Sequence, residues 1–249
     1  MKSLVKIAKN FNFDNIPAGV LEKASHINLA EFENENTRKM NEIYLQEKQQ
    51  AMYRGSIYNE RGVLDQHFPD FKVKNDNDKI CLLKARKITK RIVDGEKFKA
   101  VFTGNAGSGK TMLSVCTMNY VYEHTNMSCL FISVPKLMQW ERDKAGGTDQ
   151  LRAINVEKRI ENADLVVWDD LGSETAMQSN SQEQATEFTQ KVLFNLADSR
   201  KGKIDIFTTN NTSKELMQIY NPKLISRMMT KNPDNLIQFQ SMDHRIIQN

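Results

Sequence analysis

From Cys81 onward the chain alternates short apolar runs with amphipathic stretches. FKAVFTG (98–104), SCLFISV (128–134), DLVVWDD (164–170), KIDIFTT (203–209) and NLIQFQ (235–240) are apolar blocks too short for helices and read as strands. Helical periodicity occupies 81–93, 109–123, 150–162 and 183–198. Strands separated by helical crossovers pair in parallel, so this region predicts an α/β domain whose parallel sheet is flanked by helices on both faces.

The first 75 residues lack that alternation. In SLVKIAK, Leu4, Ile7 and Ala8 share a helical face and Lys2, Lys6 and Lys9 lie elsewhere, until Pro17 and Gly19 interrupt the pattern. ENENTRKMNEIYLQEKQQAMYRG (33–55) is rich in helix formers, but its apolar residues, Met40, Ile43, Tyr44 and Met52, are scattered. Such a polar helix buries little in its own domain; it is either a solvated surface helix or an arm that docks on a partner. NDND (75–78) reads as the end of a linker. The expected division is a small, mainly helical region over 1–75, followed by the α/β domain over 76–249.

Composition narrows the class. The chain has 249 residues, 39% hydrophobic and 27% charged, as expected of a soluble globular protein. No apolar run approaches the ~18 residues of a membrane span, and MKSLVKIAKN lacks the apolar core of a secretory signal, so a cytoplasmic protein without a membrane partner is expected. Cys81, Cys116 and Cys129 have no metal-type spacing. A net charge of +4 permits a nucleic-acid partner without requiring one.

GNAGSGKT, Gly104 to Thr111, matches the phosphate-loop pattern G-x-x-x-x-G-K-[ST] and stands between a strand and a helix, as that chemistry needs. Its glycines let the backbone N–H groups of Gly104, Asn105, Ala106, Gly107, Ser108 and Gly109 turn inward around phosphate oxygens, with Met112 opening the helix behind them. Lys110 can neutralise the β- and γ-phosphates, and Thr111 can offer its hydroxyl to Mg²⁺. Asp169 ends an apolar strand about 60 residues later, where such ATPases hold the metal, and Asp170 is placed to polarise the attacking water. TKNPD (230–234) has one residue too many for a guanine reader, so ATP and ADP are the expected nucleotides.

These motifs resemble the AAA+ ATPases, and most of the chain from about residue 35 is similar to the replicative-helicase loaders of the DnaC type. GNAGSGKT and LVVWDDLG match the Walker A and Walker B positions. IFTTNNT resembles the sensor 1 strand and implies that Asn210 lies beside the γ-phosphate. NPKLISRMM resembles the helix of the arginine finger and implies that role for Arg227. SMDHRI resembles the sensor 2 segment and points to Arg245, and HFPDFKV (67–73) resembles the aromatic segment near the adenine. For single-stranded DNA the resemblance points to VPKLMQWERDKAGG, where Lys136, Trp140 and Lys144 recur every four residues and share a helical face; a core tryptophan beside surface lysines has the same pattern. The implied partners are a replicative ring helicase, single-stranded DNA and further copies of the chain on ATP binding.

Two features depart from that family. No Cys/His cluster marks a zinc-bearing N-terminal domain. Walker B strands of the family end Asp-Glu, whereas Asp170 is one methylene shorter and holds its carboxylate roughly 1.5 Å further back. Hydrogen-bond reach to the water is then poorer, which predicts slow turnover. A transposition-helper ATPase, a small-molecule P-loop kinase and a nucleotide-gated binding module stay open as alternatives.

Overall fold

The computed structural model describes residues 29–59, 62–147, 150–176 and 184–240. The chain divides into two compact units, 1–48 and 49–249. Helix α1 (Leu29–Arg54) begins in the first. There its surface carries the i,i+4 ion pairs Lys39–Glu35 and Arg38–Glu42, and Met40, Ile43 and Tyr44 are exposed.

The second unit holds the sheet. Strands β1 (Lys99–Gly104), β2 (Cys129–Ser133), β3 (Leu165–Asp169), β4 (Ile204–Thr209) and β5 (Leu236–Phe239) lie in the order β2-β3-β4-β1-β5, and every pairing is parallel. The helices are α2 (Asp76–Val93), α3 (Lys110–His124), α4 (Val134–Ala145), α5 (Gln150–Asn162), the single turn α6 (Ser173–Ala176), α7 (Glu187–Ser199), α8 (Ser213–Ile219) and α9 (Pro222–Met228). Among the described residues no helix is long and apolar enough to cross a membrane.

Side chains alternate across a strand, and two separate cores follow from that period. Leu130, Ile132, Val166 and Trp168 enter one core with residues of α4, α7, α8 and α9; Cys129, Phe131, Leu165 and Val167 enter the other with α2 and α3. Both faces of β3 are therefore dry, which is why its sequence is an unbroken apolar run.

Residues 49–75 belong to this second unit. Gln49 donates to the carbonyls of Tyr122, Thr125 and Met127, Met52 and Ile57 are buried, and Tyr53 donates to Asn119 at 2.9 Å. Ile57 bridges in parallel to Ile132, covering the exposed edge of β2. Asn75, read as a linker residue, caps α2 by accepting the N–H of Asp78 at 2.9 Å. At the strands' N-terminal end, fully buried Arg200 is paired with Asp205 and donates to the carbonyls of Ile160, Ala163 and Ile204, while Trp168 donates to the same carboxylate. This leaves the C-terminal strand ends to the site.

Candidate active site

A cleft of about 650 Å³ lies at the C-terminal ends of β1 and β3, the crevice where parallel α/β sheets bind ligands. Its floor is the loop between β1 and α3. Gly104 has φ 147°, and a Cβ there would stand 2.2 Å from the carbonyl oxygen of Phe239. Gly109 has φ 95°, and a Cβ there would meet the Phe71 ring at 2.8 Å. Both positions exclude any side chain, which accounts for the first and third glycines of the loop. Lys110 is buried and its ammonium donates to the Asn105 carbonyl at 2.6 Å, inside the curl of the loop.

The two carboxylates ending β3 have different surroundings. Asp169 is 7% exposed and its Oδ1 accepts from the hydroxyls of Thr111 (2.8 Å) and Thr208 (2.6 Å). Burial, with the Asp170 charge beside it, pushes its carboxyl up to about 6, against the pull of those hydroxyls and of Lys110. A buried carboxylate grouped with a threonine hydroxyl and a lysine is a donor set suited to a hard divalent cation and phosphate, since cation charge would offset the desolvation.

Asp170 is half-exposed and lines the cleft. Its φ of 59° makes it the one non-glycine residue in the left-handed region among the described residues. Its N–H donates to Thr208 Oγ1 at 3.0 Å and its carbonyl accepts from Ser173. Asp and Asn adopt this backbone several-fold more readily than most residues. The strained turn thus gives a local reason for Asp where the family pattern has the longer Glu. Thr208 joins the pair, accepting from Asp170 and donating to Asp169. It lies inside IFTTNNT, two residues before Asn210, but only the asparagine of that segment had been given a role.

Asn210 follows β4 and lines the cleft with Asp169, Asp170, Lys110, Thr111 and Met112, so three separately predicted segments meet. Asp70, Phe71 and Lys72, from the predicted aromatic segment, form the opposite wall together with Tyr58, Val63 and Gln66, which the sequence reading had not singled out. Arg227 is not part of this wall. It lies on α9 with its Nε 2.7 Å from Asp198 Oδ1 of α7. Arg245 lies outside the described residues. Lys136, Trp140 and Lys144 share α4: Lys136 donates to the Tyr58 carbonyl, Trp140 packs on the larger core, and Lys144 pairs with Glu157 at 2.8 Å and Glu141 at 3.6 Å.

The sequence model of the ATPase family associated with various cellular activities (AAA) matches residues 100–237, more than half of the chain. The chain belongs to this family. No curated protein is similar enough to the whole chain to count as a match. The AAA fold is shared with solved structures of the DnaC helicase loader (TM-score 0.58, 20% identity, 73% of this chain and 100% of that one) and of DnaI (0.56, 19%, 76% and 96%). It is also shared with AMPPCP-bound DnaA from Aquifex aeolicus (TM-score 0.55, 14% identity, 71% of this chain and 50% of that one). At these identities the likeness is one of fold. Within the AAA core, the matched segment holds the loop, both carboxylates, Asn210 and Arg227.

Proposed function

We propose that this AAA ATPase loads a replicative ring helicase onto single-stranded DNA, using slow Mg²⁺-dependent ATP hydrolysis as its timing switch. The observation that carries the reading is the separation of the cations. Lys110 is buried in the nucleotide cleft, whereas Arg227 stands outside it, about one-third exposed on the surface formed by α7 and α9. An arginine placed there is available to the ATP of a neighbouring copy and not to its own.

In this reading the loop N–H groups and Lys110 cradle the phosphates, and Tyr58, Phe71 and the segment around them bound the base. Mg²⁺, held by Thr111 and Asp169, neutralises phosphate charge when bound. Asp170 accepts the proton of the attacking water, Asn210 orients that water or the γ-phosphate, and Arg227 stabilises the developing charge in trans. Arg245 is the proposed sensor 2 residue. The DnaC likeness and the site together favour the loader role. Of the N-terminal region expected over 1–75, the part before Gln49 serves as the partner-binding region, with the exposed Met40, Ile43 and Tyr44 on α1 offered to the helicase. DNA runs along α4, where Lys136 and Lys144 are half-buried.

Co-purification of the full chain with a ring helicase, with and without ATP, tests the proposal. Stable association, and its loss in an Ile43→Glu/Tyr44→Glu variant that still binds ATP, is the expected result. Absence of association with the replicative helicase of the cell in which it works removes the loader reading.

A further inference from the structure

Arg227 is gripped from one side only. Its Nε donates to Asp198 Oδ1 at 2.7 Å, the Phe194 ring lies 5.8 Å from the guanidinium carbon, and neither Nη nitrogen makes a hydrogen bond among the described residues. The backbone beneath is also fixed: Lys99 donates to the Arg227 carbonyl, and α9 is started by Asn221, whose side chain accepts the Leu224 N–H at 2.9 Å. Asp198 is itself held by Lys201, whose ammonium stands 2.8 Å from the same oxygen. Lys201 first, then Arg227, hold the Asp198 carboxyl below the usual carboxylate range, so it is ionised at neutral pH.

The geometry matters because a guanidinium is a planar fork of five donors. A carboxylate that served only to fasten α9 to α7 would gain most from a two-pronged contact with that fork. Here the carboxylate takes the Nε edge and leaves the two terminal nitrogens clear, on a side chain about one-third exposed. Those two nitrogens match a pair of phosphate oxygens. The Phe194 face beneath the cation and the Asp198 contact restrict the rotation of an otherwise flexible side chain before any phosphate arrives.

We propose that Asp198 and Phe194 are positioning residues that pre-orient Arg227 toward the terminal phosphate of ATP bound to a second copy of this chain. The inference rests on the trans role given to Arg227 above. It adds that the neighbour's phosphate meets a guanidinium already aimed, and that the aiming group is an acid on α7, outside every motif.

Steady-state ATP hydrolysis by the full chain tests this, using Arg227→Ala, Asp198→Asn, Phe194→Leu and the Asp198→Asn/Arg227→Ala pair, each checked for folding by thermal melting. Asp198→Asn is expected to lower kcat about tenfold with KM for ATP within about twofold, and Phe194→Leu to do the same more weakly. In the Arg227→Ala background Asp198→Asn should have no further effect, and ATP-dependent self-association in the analytical ultracentrifuge should follow the same order. If Asp198→Asn slows both backgrounds by the same factor, or leaves a folded protein with wild-type kcat and assembly, the positioning role is overturned while the trans arginine stands. If Arg227→Ala itself hydrolyses ATP and assembles like wild type, the trans reading fails, and the positioning role with it.

Discussion

The phosphate loop and the α7–α9 corner each present a cation, and they hold it in opposite ways. Lys110 is 4% exposed and bonded to the carbonyl of its own loop; Arg227 is about one-third exposed and held by a side chain from another helix. Burial suits a charge whose counter-ion enters the same cleft, because low dielectric strengthens the attraction. Exposure suits a charge that must meet a group on another molecule. On the proposed reading the motif set contains a private half and a shared half, and the two differ in solvent access.

That contrast can be broken at four points. The largest effect is expected at Asp170: Asp170→Asn should leave ATP binding intact but reduce single-turnover hydrolysis by about 10²–10⁴. Asp170→Glu extends the reach to the water and is expected to speed hydrolysis, with a stability loss of about 1 kcal/mol from the left-handed backbone at φ 59°. Wild-type rates in both variants would remove Asp170 from the chemistry. Next, Lys110→Ala should weaken ATP binding about 100-fold by calorimetry, since a buried cation facing phosphate is lost. Unchanged affinity in a folded variant would sink the loop assignment.

Arg227→Ala belongs to the shared half and should behave differently: ATP affinity stays near wild type while kcat falls about tenfold or more. Mixing it with Lys110→Ala should recover part of the activity, because one mixed interface then carries an intact Lys110 and an intact Arg227. Failure of the mixture to recover activity would place Arg227 in cis.

The smallest effect concerns Glu174, which accepts from Tyr220 and from the Gly172 N–H just after the carboxylate pair. Burial raises its carboxyl above the usual 4.5, opposed by the hydrogen bond from Tyr220, the backbone N–H contacts and Arg142. The folded state thus holds this proton more tightly than the unfolded chain. The stability gained is fully present below about pH 4.5 and is lost as pH rises through the folded value. Glu174→Gln should therefore lose less melting temperature than wild type as pH rises from about 4.5 through neutrality. Parallel pH curves for the two proteins would show that Glu174 does not titrate there.

Much of the fold was legible because a parallel sheet buries both faces of its strands. LVVWD can be nothing but interior, and all five predicted strands appear within a residue or two of their expected ends. The loop was legible because phosphate binding demands glycine at set intervals. What escaped was long-range. Tyr58 and Gln66 form a cleft wall only because Ile57 pairs with Ile132 and Phe71 packs on Gly109, contacts with no local periodicity. NDND looked like a linker because the residues that cap a helix are those that populate loops. Thr208 lies within IFTTNNT but touches Asp169, 39 residues away, and Asp198 meets Arg227, 29 residues away, contacts that no local pattern announces.

The strand order carries a consequence for how the protein is made. β1, which delivers the phosphate loop, is flanked in the sheet by β4 and β5, so both of its partners are translated after it. The last of them presses the Phe239 carbonyl against Gly104, 135 residues upstream. A ribosome adding about 5–20 residues per second therefore exposes the loop sequence for on the order of ten seconds before its second flank emerges. During that interval β1 is an apolar strand with open edges, the condition in which nascent chains draw chaperones or pair wrongly. ATP binding is then expected only once β5 has emerged, and products ending before β5 should not hold ATP.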